Sequence, residues 1–261
     1  MGRTIVVHSY RGGTGKTIVA ANTAYLLAAR GKYVCILDYD LCAPALHRVF
    51  GVENVRAWLN DFFAGQCGVA DVLNDLNKQL GIEGGRLCAG FANPDGQAIK
   101  EMLRLSMDQE WCSRNFQDLL RLRSYVLEDL NYDFLIIDTM PGYQLLSMNA
   151  LAIADDVVVV TVLDRSDIEG TLGLLEAVYR ILQKQPRVII NKAPVGLGEV
   201  GKRIETVRRV FRQRLKLEVL GVIPCSCDIP LMFGERLIAH TMPEHHVVRA
   251  LEQVVKALLK E

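Results

Sequence analysis

Apolar residues in this chain fall into short unbroken runs separated by longer stretches where they recur every three or four positions. Residues 4–7, 33–38, 86–91, 132–138, 157–163, 187–191 and 219–224 are such runs. They read as strands covered on both faces, since a strand with one wet face would alternate apolar and polar residues. Between them, residues 18–27, 98–130, 202–216 and 245–259 carry the helical period, and residues 58–76 read as an interrupted amphipathic helix. Ser166 followed by Glu169 has the spacing of a capping box for a further helix. Seven to eight strands alternating with helices predict an α/β fold: one domain over residues 1–261, with a doubly wound, mostly parallel sheet and helices on both faces. No internal repeat or low-complexity linker interrupts the pattern.

Composition narrows this only in part. Thirty basic and thirty acidic residues cancel, so bulk charge argues neither for nor against a nucleic-acid partner. No apolar run approaches the roughly 20 residues that cross a bilayer, so the expected membrane contact is at most peripheral. Seven cysteines, with a strand directly after Met1 where a secretory leader would lie, suggest a reducing cytoplasm.

The chemistry is concentrated in the stretch SYRGGTGKT, residues 9–17, between the first strand and the first helix. Gly12, Gly13 and Gly15 allow the backbone to curl with its N–H groups inward, and Thr14 completes the curl. Lys16 then adds a cation for phosphate oxygens, and the Thr17 hydroxyl is placed to ligate Mg²⁺. This is a phosphate-binding loop of P-loop NTPase type. The strict motif has glycine five positions before Gly15, where this chain has Tyr10. Arg11 instead places a basic residue just before the glycine pair.

That shorter form resembles the deviant Walker A loop of the MinD/ParA family of ATPases. The segment DYDLCAPALHRVFG, residues 38–51, and the run YDFLIIDTMPG, residues 132–142, resemble the same family's DxD segment and its Walker B strand with switch. The resemblance covers the first fifty residues and the chain from Leu130 onward. It implies ATP and Mg²⁺ as cofactors, with Thr17, Asp38 and Asp138 at the metal. It also implies Lys16, Asp40 and Arg11 as catalytic residues, with Asp40 orienting the attacking water and Arg11 standing where the family has a lysine that reaches the partner's nucleotide. Ile18 replaces the family's second hydroxyl residue. Asn191, at the end of a strand, would read the adenine edge, and Pro224 and Cys225 would complete the base pocket. The family reading predicts an ATP-dependent homodimer, a protein partner that stimulates hydrolysis, and a role as a spatial-positioning switch in cell division or partitioning, peripheral to membrane or nucleoid.

Four features stand outside that reading. The helix over residues 202–216 points Lys202, Arg203, Arg208, Arg209, Arg212 and Arg214 to solvent, a candidate surface for nonspecific DNA, acidic lipid or an acidic partner. Cys225 and Cys227 form a CxC pair that could share a soft metal, and two copies in a dimer would make a four-sulfur site, which supports a second reading as a metallocentre-assembly ATPase. Residues 51–130 match no motif and are expected to carry partner specificity. The last helix, with Glu252, Lys256, Lys260 and Glu261 on its polar face, reads as docked on the protein and not on a membrane.

Overall fold

A computed structural model describes residues 2–195, 198–231 and 237–259. Eight strands, β1 (Arg3–His8), β2 (Tyr33–Tyr39), β3 (Leu73–Asp75), β4 (Arg86–Gly90), β5 (Phe134–Thr139), β6 (Asp156–Val162), β7 (Arg187–Ala193) and β8 (Val219–Pro224), form one sheet in the order β3-β4-β2-β5-β1-β6-β7-β8. All neighbours pair in parallel except β3, which closes one edge antiparallel to β4. The strand order reverses around β1, and ligands of open α/β sheets bind at the carboxyl ends of such strands.

The unbroken apolar runs are explained by helices on both faces. Along β5, Leu135 and Ile137 join one buried cluster while Phe134 and Ile136 join the other, so successive side chains need apolar cover on opposite sides. In chain order the helices are α1 (Lys16–Ala28), α2 (Leu46–Val49), α3 (Leu59–Phe63), α4 (Val69–Val72), α5 (Asn77–Leu80), α6 (Gly96–Leu105), α7 (Gln109–Ser124), α8 (Leu145–Ile153), α9 (Arg165–Leu174), α10 (Gly198–Leu215), α11 (Asp228–Leu231), α12 (Ile238–Thr241) and α13 (His246–Leu259). π-helical turns at Tyr125–Asp129 and Leu175–Tyr179 extend α7 and α9.

The final helix behaves as its pattern predicts. Val247, Val248, Leu251, Val254, Val255 and Leu258 of α13 are buried, against β8 and α1. At Gly221 of β8 a Cβ would stand 2.6 Å from Val254 Cγ2, so the helix lies close on the sheet. Lys260 and Glu261 lie outside the described residues. No helix among the described residues is long and apolar enough to cross a membrane.

Two local expectations are corrected. Residues 58–76 do not form one helix, because two aspartates each start a new one. Asp61 Oδ2 accepts from Trp58 N–H at 2.9 Å and Asp71 Oδ2 from Gly68 N–H at 3.0 Å, while Gly65 turns the chain between them at φ 74°. The rest of the stretch becomes β3. Ser166 does not cap α9 either. The helix begins at Arg165, and Asp164 caps it by accepting from Asp167 N–H at 3.0 Å, which leaves Glu169 to pair with Arg165 at 2.8 Å.

Candidate active site at the phosphate-binding loop

The loop between β1 and α1 takes the curled form its glycines permit. Gly13 and Gly15 have φ of 79° and 91°, values that residues with a Cβ rarely adopt. At Gly15 a Cβ would also meet Asn191 Nδ2 at 2.4 Å. The loop is fastened from β7: Asn191 Nδ2 donates to Thr14 O at 2.7 Å and Lys192 Nζ to Gly13 O at 2.7 Å. Behind it, the buried His8 lies 2.8 Å from Thr139 Oγ1 through Nδ1 and 3.0 Å from Gly142 O through Nε2, joining β1 to the turn after β5. Burial first, then the Lys16 charge, lowers its pKa to about 3, so the ring is neutral.

Three carboxylates face the loop. Asp38 and Asp138 are partners in the β2–β5 register and are fully buried. Asp38 Oδ2 accepts from the N–H groups of Ala45 and Leu46 at 3.2 and 3.0 Å, tying the start of α2 to this strand end. Its Oδ1, both oxygens of Asp138 and Thr14 Oγ1 are buried without hydrogen-bond partners. Burial, then the Asp138 charge, pushes the Asp38 carboxyl well above the ordinary range. Asp138 is pushed up to about 6, by burial and by Asp40, against the pull of Lys16 and the Thr17 hydroxyl. Asp40, half-buried, accepts from Ala43 N–H at 3.0 Å and is raised by burial, with Lys16 opposing.

Buried oxygen acceptors with nothing to accept, next to a hydroxyl, are the donor set of a hard divalent cation. The inward-turned loop with Lys16 beside it fits an anion of the phosphate class. The residues present therefore fit Mg²⁺ and a nucleotide phosphate chain. A cavity of about 500 Å³ adjoins them, lined by Gly12, Lys16, Thr17 and Asp40, and it continues past Gly15 and Ile18 into a second, mainly apolar space of about 380 Å³. Asn191, Pro224 and Cys225 line the second space, with Ile229, Val247 and Leu251.

Matches to known proteins identify the family and the fold. Residues 2–192 match the model of the family described as "AAA domain". The septum site-determining protein MinD of Thermotoga maritima is 30% identical over 237 residues, covering 88% of this chain and 78% of that protein. The chain belongs to the MinD/ParA family of P-loop ATPases. An uncharacterised ATP-binding protein of Methanocaldococcus jannaschii is 29% identical over 262 residues, covering 99% of this chain and 88% of its own length. The fold is also that of the septum site-determining protein MinD of Pyrococcus horikoshii complexed with Mg-ADP, at a TM-score of 0.75 and 24% identity, covering 100% of this chain and 97% of that one.

Against the family pattern, three placements stand out. Arg11 is engaged within its own chain: its guanidinium lies 3.2 Å from Asp164 Oδ1 and 3.3 Å from Asp167 Oδ1. Asp167 is fully buried, and its other oxygen accepts from Val162 N–H and the Thr161 hydroxyl, each at 2.8 Å. Tyr10, in the place of the missing glycine, lies over Gly170 of α9, where a Cβ would come within 2.1 Å of its ring. Leu103 and Ser106, at the end of α6, line the phosphate cavity although their segment carries no motif, and no local signal in the sequence pointed to them. Lys192 was legible only as the residue after Asn191.

The metallocentre reading is not supported. Cys225 and Cys227 are exposed free thiols, and among the described residues no three His, Cys, Asp or Glu side chains gather to hold a metal. The family matches point to the ATPases of division-site placement.

Proposed function

We propose that residues 1–261 act as one nucleotide-switched ATPase domain that binds ATP with Mg²⁺, pairs with a second copy in the ATP state and resets by slow hydrolysis, so that a partner in cell division or partitioning reads its state. The observation that carries this reading is the set of buried, unpartnered carboxylate oxygens of Asp38 and Asp138 facing Lys16 and Thr17. Held from Thr17, Asp38 and Asp138, Mg²⁺ would supply charge neutralisation for the phosphate oxygens. Gly12 to Thr17 cradle the phosphates, and Ile18, Asn191, Pro224 and Cys225 enclose the base. Asp40 orients water for in-line attack, which needs positioning more than covalent chemistry. The bonds from Asp38 to the start of α2 give nucleotide binding a route to the surface. Arg11 would leave Asp164 and Asp167 to reach the partner's nucleotide. The basic face of α10 and a site of action beside membrane or nucleoid belong to the same reading.

The test is phosphate release from MgATP by the wild type, Lys16→Ala and Asp40→Ala, with nucleotide affinity measured beside it. Loss of binding in the first variant, and loss of turnover with binding retained in the second, is the expected pair. Equal turnover in all three would refute it.

A further inference from the structure

A second cavity, of about 470 Å³, lies at the opposite end of the sheet, where the chain enters β7 and β8. Arg180, Lys184, Arg214 and Lys216 line it against one carboxylate, Glu176. Cations near helix C-termini complement the helix dipole, and this accounts for part of the cluster. Lys184 Nζ is held by Ala154 O at 2.5 Å and Arg214 by Glu176 at 2.7 Å. Arg180 and Lys216 have no ion-pair partner among the described residues.

Lys216 carries the stronger argument. It stands in the left-handed position that closes α10, at φ 58°, where its N–H bonds to Arg212 O at 3.1 Å and the next N–H, of Leu217, to Phe211 O at 3.3 Å. That position is ordinarily glycine, because a Cβ is strained there. Helix closure alone would favour glycine, whereas the lysine adds charge to a cavity already rich in it. The facing wall comes from the π-helical turn after α9, a local irregularity frequent at functional sites.

We propose that this cavity is a second ligand site, for a small molecule carrying two or more phosphate groups. Guanidinium forks match phosphate oxygens, a compact ammonium adds charge, and the volume suits a ligand of that size. The reading does not depend on the function proposed for the nucleotide site.

The experiment is calorimetric titration of pyrophosphate into the full chain at low ionic strength, with excess Mg-ADP blocking the phosphate loop, for the wild type, Arg180→Ala and Lys216→Gly. The expected result is one further site whose affinity falls about tenfold in each variant. In Lys216→Gly the melting temperature should meanwhile rise by about 2–4 °C, so lost binding cannot be lost folding. No heat beyond the blocked loop, or equal affinity in all three proteins, overturns the proposal. So does displacement of pyrophosphate by duplex DNA together with weakened DNA binding in both variants, which would assign the face to nucleic acid.

Discussion

The two ends of the sheet leave opposite charges unsatisfied. At the carboxyl ends of the strands, Asp38, Asp40 and Asp138 lie within one another's field, Lys16 offsets only Asp40 and Asp138, and three oxygens of Asp38 and Asp138 accept nothing. At the other end, Arg180, Lys184, Arg214 and Lys216 line one cavity in which Glu176, the one carboxylate, pairs with Arg214. Between them the strands are covered by apolar clusters on both faces. Folding alone would remove both excesses, since buried or crowded like charges destabilise. On the proposals above, each end binds a partner that the chain by itself does not contain, and the two ends differ in how deeply the charge is buried. The carboxylates cannot be screened by water, whereas the cations partly can, so substitutions at the first end should have the larger effects.

The largest expected effect is on acid stability. A His8 pKa of about 3, against 6.5 when unfolded, means the folded chain binds fewer protons between those values. The contribution is fully present above about pH 6.5 and is lost as pH falls toward 3, roughly 3–5 kcal/mol in all. His8→Gln, which cannot charge, should flatten the slope of unfolding free energy over that window, measured by urea titration at a series of pH values. Next is Asp40→Ala, expected to slow ATP turnover about 10²-fold or more with nucleotide affinity kept, in a phosphate-release assay. Asp138→Asn removes one of two facing buried charges. It should stabilise the nucleotide-free protein by roughly 1–3 kcal/mol while abolishing the extra stabilisation that Mg²⁺ adds to ADP, both read by thermal melts. The smallest is Lys216→Gly, worth about 1 kcal/mol of stability at the cationic end. If either Asp138→Asn or Lys216→Gly lowered stability, the charge at that end would be satisfied within the chain and the comparison would fail.

What the sequence made legible was local. The loop at Gly12–Thr17 could be read because spacing and flanking periodicity lie within a dozen residues, and Asp38 and Asp138 because each closes an apolar run. The engagement of Arg11 by Asp164 and Asp167 was not legible, since it depends on α9 lying beside the loop, about 150 residues away in the chain. Leu103 and Ser106 reach the cavity by tertiary packing of a segment with no motif. The antiparallel β3 was read as helix because its apolar residues continue a helical period that Asp61, Gly65 and Asp71 interrupt. The cationic cavity was half visible: residues 202–216 announced a basic helix, but the left-handed backbone at Lys216 leaves no mark in composition.

Molar mass by light scattering, for wild type, Asp40→Ala and Arg11→Ala with Mg-ATP or Mg-ADP, tests the switch most directly. The account predicts a monomer with ADP and a dimer with ATP, most fully in Asp40→Ala, with Arg11→Ala remaining monomeric throughout. A mass that ignores the nucleotide in every variant would contradict it.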